Sequence, residues 1–201
     1  MLSTEKQIER SIKARPKGAL VFPDDFLPYG SPEAVRKALD RLEDRHVLVR
    51  VAHGIYVRPR ESELIGTVLP TAEEVAEAIA KRDKVRTVPS GSYALNALGL
   101  STQIPMKIVL LTDGSPREIK VGRRSIKFKK VAPKTLLAKG KVSRLAIQAL
   151  KELGNGHVSD YEEKKIVEHL RMEDVAILKH DIALAPVWIQ KIMNKALTDV
   201  A

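Results

Sequence analysis

The chain contains no cysteine in its 201 residues. That removes disulfides, thiolate zinc sites and cysteine nucleophiles from consideration, and it suits a reducing compartment. The opening stretch MLSTEKQIERSIKARP alternates charged and apolar residues and lacks the hydrophobic centre of a signal peptide. No apolar run approaches the roughly 20 residues that cross a bilayer, so a cytoplasmic protein without membrane contact is expected. There is no internal repeat and no low-complexity tract. The five histidines, His46, His53, His157, His169 and His180, show no i, i+3 or i+4 pairing, and no metal site is expected of them. Ser90-Gly91 is not framed by a Gly-x-Ser-x-Gly elbow, so Ser90 reads as a helix N-cap rather than a nucleophile.

What is present is an excess of positive charge, 35 basic against 25 acidic residues. Residues 1–60 contribute 12 basic and 8 acidic, residues 61–140 contribute 14 and 8, and residues 141–201 contribute 9 and 9. A net +10 favours polyanionic partners, and the first two thirds of the chain are where they would bind. Hydrophobic residues make up 44 % of the chain, enough for packed cores throughout.

Periodicity sets out the first domain, residues 1–60. Ile8 and Ile12 share one helical face; Pro16-Lys17-Gly18 breaks that helix, and Ala19 to Phe22 reads as a strand. Pro23 to Leu27 starts a brief second helix. Ser31-Pro32-Glu33 is a strong helix start, a hydroxyl cap followed by proline and an acid. The helix beyond places Val35, Ala38, Leu39 and Leu42 on one stripe, with Arg36, Lys37, Asp40, Arg41 and Asp44 opposite. Two β-rich runs, Val47–Val51 and Ile55–Val57, flank a turn at Ala52-His53-Gly54. This order predicts a winged helix-turn-helix that binds double-stranded DNA. The groove-facing helix would supply Ser31, Arg36, Lys37 and Arg41, and the hairpin Arg50, His53, Tyr56 and Arg58.

Residues 58–70 read as a linker, and residues 68–201 as a second, α+β domain. Thr71-Ala72-Glu73-Glu74 is a capping box, Ser90-Gly91-Ser92-Tyr93 opens a short helix that closes at Gly99, and residues 106–131 read as a three-stranded antiparallel meander flanked by helices. From Arg117 to Lys139 nine basic residues face one acid, Glu118. Ile126 and Phe128 alternate there with Lys127 and Lys129, so one strand face is apolar and the other positive. Arg123, Lys127 and Lys129 are accordingly candidates for a surface that meets nucleic acid or an acidic protein. Asp113, Glu118 and Lys120 mimic the Asp…Glu-x-Lys pattern of metal-dependent nucleases, but Asp113-Gly114 also reads as a plain turn. Asn96, inside the short helix that closes at Gly99, reads as a hydrogen-bond donor to a neighbouring loop, with a functional surface as the alternative. Trp188 follows Pro186 on an apolar helix and reads as core first, with a partner-docking face as the second reading.

The segments Ala34-Val35-Arg36-Lys37-Ala38-Leu39, Gly54-Ile55-Tyr56, Ser90-Gly91 through Gly99-Leu100, and Leu111-Thr112-Asp113-Gly114 resemble the AbiEi family of bacterial antitoxins, in its shorter branch. The resemblance implies a type IV toxin–antitoxin system. Its antitoxin counters a nucleotidyltransferase-like toxin without a stable complex and represses its own operon at inverted repeats in the promoter. His53 stands where relatives often carry arginine, which lowers the hairpin's charge at neutral pH. Neither enzymatic activity nor a cofactor is expected. Two other readings stay open: a transcriptional regulator with a ligand-sensing second domain, and a nuclease using Asp113 and Glu118.

Overall fold

The computed structural model describes residues 2–64 and 66–198 and shows an α+β protein. The chain divides into two units, residues 1–79 with 119–123, and residues 80–118 with 124–201. Among the described residues no helix is long and apolar enough to cross a membrane.

The first unit begins with α1 (Thr4–Ala14), capped by the Ser3 hydroxyl, which accepts from the Lys6 N–H at 3.4 Å. Strand β1 (Leu20–Val21) and a 3-10 helix (Pro23–Tyr29) lead to α2 (Pro32–Asp44). The Ser31 hydroxyl caps α2 by accepting from the Ala34 N–H at 3.2 Å, and Pro32 fills the first turn. The stripe Val35, Ala38, Leu39 and Leu42 is buried against Ile8, Ile12, Phe26 and Leu48. Each large apolar side chain so buried contributes about 1.5–3 kcal/mol, so this small core holds α1, α2 and the 3-10 helix together.

Helix α2 ends in a left-handed turn. His46 has φ 57°, and the Val47 N–H donates back to the Leu42 carbonyl at 2.9 Å. That turn uses up residues 45–48, so β2 (Val49–Ala52) starts two residues later than the β-rich run suggests. It pairs antiparallel with β3 (Ile55–Val57) through the two-residue loop His53-Gly54, with a bulge between Arg50 and Ala52. Gly54 at φ 66° takes the left-handed position that the loop requires. Strand β1 pairs with β3 on its other side, giving the sheet order β1-β3-β2.

The stretch expected as a linker is instead a hairpin, β4 (Arg60–Ser62) with β5 (Gly66–Val68), in a two-stranded sheet of its own. Gly66 at φ 71° allows the turn, and the Thr67 hydroxyl donates across the strands to Glu61 at 2.9 Å. Helix α3 (Ala72–Asp83) follows, opened by the predicted capping box: the Thr71 N–H donates to Glu74 at 2.7 Å and the Glu74 N–H to Thr71 Oγ1 at 3.2 Å.

Beyond α3 the chain forms β6 (Thr87–Ser90), α4 (Ser92–Ala97), β7 (Lys107–Thr112), β8 (Arg117–Val121), β9 (Arg124–Lys130) and a short 3-10 helix (Pro133–Leu136), all in the second unit except residues 119–121 of β8. The sheet order is β6-β7-β9-β8, with β6–β7 antiparallel but β7–β9 parallel. The expected antiparallel meander is therefore corrected: β8 lies at the edge, and β9 takes the place beside β7. The reason lies in side chains. The parallel register sets Ile126 beside Ile108 and Phe128 beside Leu110, all four buried, whereas β8 (REIKV) offers its neighbour little apolar surface. Ser90 lies in β6, not at an N-cap; Gly91 caps α4 with φ 63°.

Helices α5 (Lys141–Leu153), α6 (Asp160–Leu170), α7 (Val175–Ile182) and α8 (Val187–Thr198) enclose a second core that includes Ala146, Leu150, Ile166, Leu170, Ile189 and Met193, with Trp188 packed against it. No side chain of α5 caps its own N-terminus; Glu173 accepts from the Val142 and Ser143 N–H groups at 2.8 and 3.0 Å. Fully buried Asp181 accepts from the Lys139 and Gly140 N–H groups at 2.8 and 2.7 Å. Two remote carboxylates thus supply the cap and meet the positive end of the helix dipole.

Candidate nucleic-acid interface

Because one stripe of α2 is buried, geometry forces Arg36, Lys37, Asp40 and Arg41 outward, and all four are exposed. The Arg36 Nε donates to the Pro32 carbonyl of its own helix at 3.3 Å, which orients the side chain along the first turn. Its terminal nitrogens have no acceptor among the described residues. Lys37 pairs with Glu33 at 2.8 Å, both side chains more than 60 % exposed, an arrangement of small energetic weight. Ser31 sits beside them, its hydroxyl already engaged as the cap.

Arg41 and Arg45 are tied to α1. Arg41 Nη1 meets Glu5 at 3.2 Å; Arg45 Nη2 meets Glu5 at 3.4 Å and Glu9 at 2.7 Å. Lys13 shares Glu9 at 2.7 Å. The Glu9 carboxyl is held below its ordinary range, first by the hydrogen bond from Lys13 and then by Arg45. Composition alone hid this cluster, although Glu5 and Glu9 at i, i+4 on α1 were a usable signal.

In the hairpin His53 and Arg50 are exposed, while Arg50, Tyr56 and Arg58 are each engaged in contacts. His53 is exposed at the turn. Arg50 bonds Asp40 at 2.6 Å and Glu43 at 3.0 Å, and lies 5.1 Å over the Tyr56 ring. Tyr56 is buried at 3 % exposure, and burial pushes its hydroxyl pKa up despite Arg50. Arg58 Nη1 donates to the Lys13 carbonyl at 2.9 Å and to the Arg15 carbonyl. These three were expected to face DNA; the structure sets each in contacts within the first unit.

In the second unit Lys127 and Lys129 are exposed while Ile126 and Phe128 are buried, the alternation read from β9. Arg123, in the 119–123 segment counted with the first unit, is also exposed. Arg117 does not join this surface, since it pairs with Asp83 and lies 5.2 Å over the Phe128 ring. Asp113 accepts from the Arg86 N–H and Nε, both at 2.9 Å, and Arg86 holds its carboxyl below the usual range. Glu118 is likewise lowered by Lys107, 2.9 Å away. Each carboxylate of the nuclease-like pattern therefore has its own basic partner. Among the described residues no group of three His, Asp or Glu side chains converges as a metal site. Asn96 donates to the Ser101 and Gln103 carbonyls, both at 3.1 Å, and so holds the loop after α4.

A helix-and-hairpin unit joined to an α+β unit, with exposed cations on both, is the class of protein this geometry defines. Residues 7–178 match DUF6088, described as a family of unknown function, and the chain belongs to that family. No curated protein matches it. Among solved structures it is similar to the crystal structure of RV2827C protein from Mycobacterium tuberculosis, with a TM-score of 0.45 and 13 % identity over 98 % of this chain and 83 % of that one.

Proposed function

We propose that the chain is a DNA-binding antitoxin that represses its own operon and is not an enzyme. In this reading residues 1–60 are a winged helix-turn-helix, α2 enters the major groove, and the β2–β3 hairpin is the wing. The observation that carries it is the outward face of α2: Arg36, Lys37 and Arg41 stand opposite a buried stripe, within the first three turns after the Ser31 cap. A helix so exposed and so charged can reach guanine edges and phosphates. The resemblance at Ala34–Leu39 and Gly54–Tyr56 to AbiEi antitoxins supports the promoter's inverted repeats as the target and a nucleotidyltransferase-like toxin as the functional partner.

Arg36, Lys37, Arg41 and His53 are the residues proposed to reach DNA first, with Ser31 placing the helix end. A duplex from upstream of the protein's own coding sequence should be bound, and binding should weaken steeply with salt, as expected when cations neutralise phosphates. Affinity that does not change with salt would contradict the reading.

Opposition to the toxin is assigned to Lys127 and Lys129 on β9 of the second unit, and Arg123 of residues 119–123 is a further candidate. Reversing all three to glutamate leaves Ile126 and Phe128 buried, so the sheet should survive. Cells expressing this variant at the wild-type level should lose protection from the cognate toxin while promoter binding persists. Full protection would remove this face from the account.

A further inference from the structure

We propose that β5 is the seam of a homodimer, in which the β4–β5 hairpins of two copies join edge to edge. The inference is independent of the DNA-binding reading. The hairpin forms a sheet of only two strands, an arrangement that is marginal in water without further strands or a covering face. Among the described residues no third strand pairs with the backbone N–H and C=O groups along its edges, and such edges are usually guarded by charge.

Here only one edge is guarded. Strand β4 and its turn present Arg60, Glu61 and Glu63, all exposed. Along β5 and just beyond it, Gly66, Thr67, Val68 and Leu69 carry no charge. The apolar side chains nearby are open, Leu64 at 94 % and Leu69 at 51 % exposure. Pro70 then stops the strand.

A second copy is the occupant that fits. Two identical strands pair antiparallel about a two-fold axis normal to the sheet, which keeps faces matched and sets residues of the same parity opposite each other. Pairing β5 with β5 brings Thr67 against Thr67, or Val68 against Val68 one register on, β-branched residues that pack well across strands. Pairing β4 with β4 would set Glu61 against Glu61 or against Glu63, acid on acid. Charge therefore selects β5. A strongly charged partner of another kind finds nothing on this strand to attract it. Strands of three residues bury little, so the dimer is weak and depends on concentration.

The test uses the full chain, whose lack of cysteine gives a clean background. Sedimentation velocity over a range of concentrations should show monomer passing to dimer, and Thr67→Lys should return it to monomer while keeping a partner for Glu61 across the hairpin. On mild oxidation Thr67→Cys or Val68→Cys should give a covalent dimer on a non-reducing gel. Glu61→Cys should not, because the two β4 strands would lie about 14 Å apart, three strand spacings. Circular dichroism melts confirm that each variant is folded. A chain that stays monomeric at every concentration, a dimer that neither β5 cysteine captures, or a cross-link at Glu61→Cys instead would overturn the proposal.

Discussion

Arg58 donates to the carbonyls of Lys13 and Arg15 at the end of α1, where the helix leaves acceptors without intrahelical donors. Its role is to close that end and fasten β3 to it. Arg58→Met keeps the apolar stem and removes the donors. It should cost about 1.5–3 kcal/mol, the range for hydrogen bonds from a charged group. Urea unfolding followed by circular dichroism reads this directly, and the folded variant should bind DNA as the wild type does. Lost DNA affinity at unchanged stability would instead place Arg58 at the interface. Arg36 is the opposite case, exposed and bonded only to the backbone of its own first turn.

Helices α1 and α2 are joined by their cores and, at the surface, by Glu5 and Glu9 reaching Arg41 and Arg45. Glu9 has its pKa lowered in the folded protein, so it adds stability above the ordinary glutamate value, and this is lost as pH falls through the folded value. Glu9→Gln should therefore flatten the acid side of the stability profile, between about pH 5 and pH 3. Urea midpoints across that range give the comparison; parallel profiles for the two proteins would show that Glu9 contributes nothing.

The elements that local chemistry specifies were legible in advance: the Ser31-Pro32 start of α2, the Thr71–Glu74 capping box, and the burial alternation of β9. The parallel pairing of β7 with β9 was not, because it depends on matching Ile108 and Leu110 to Ile126 and Phe128 across an intervening strand. The β4–β5 hairpin was missed because its strands are only three residues long and mostly polar. At the candidate interface the exposed cations of α2 followed from helical period. The partners of Arg50 and Arg58 are contacts between separate elements, which spacing along the chain does not reveal.

Over the whole molecule, the positive balance is carried by residues 1–140, while residues 141–201 are neutral and mostly helical. Both proposed activities lie within residues 1–140, promoter binding on α2 and opposition to the toxin on β9. The repressor role rests on α2 contacting DNA. The decisive measurement is fluorescence anisotropy of a labelled upstream duplex against wild type and Arg36→Ala/Arg41→Ala, repeated at several salt concentrations with an unrelated duplex as competitor. The double variant should keep its fold and lose about 1–3 kcal/mol for each side chain that reads a base edge. The slope of log K against log salt should fall by about 0.9 for each phosphate contact removed. Equal affinity and equal slope in the two proteins would contradict the account.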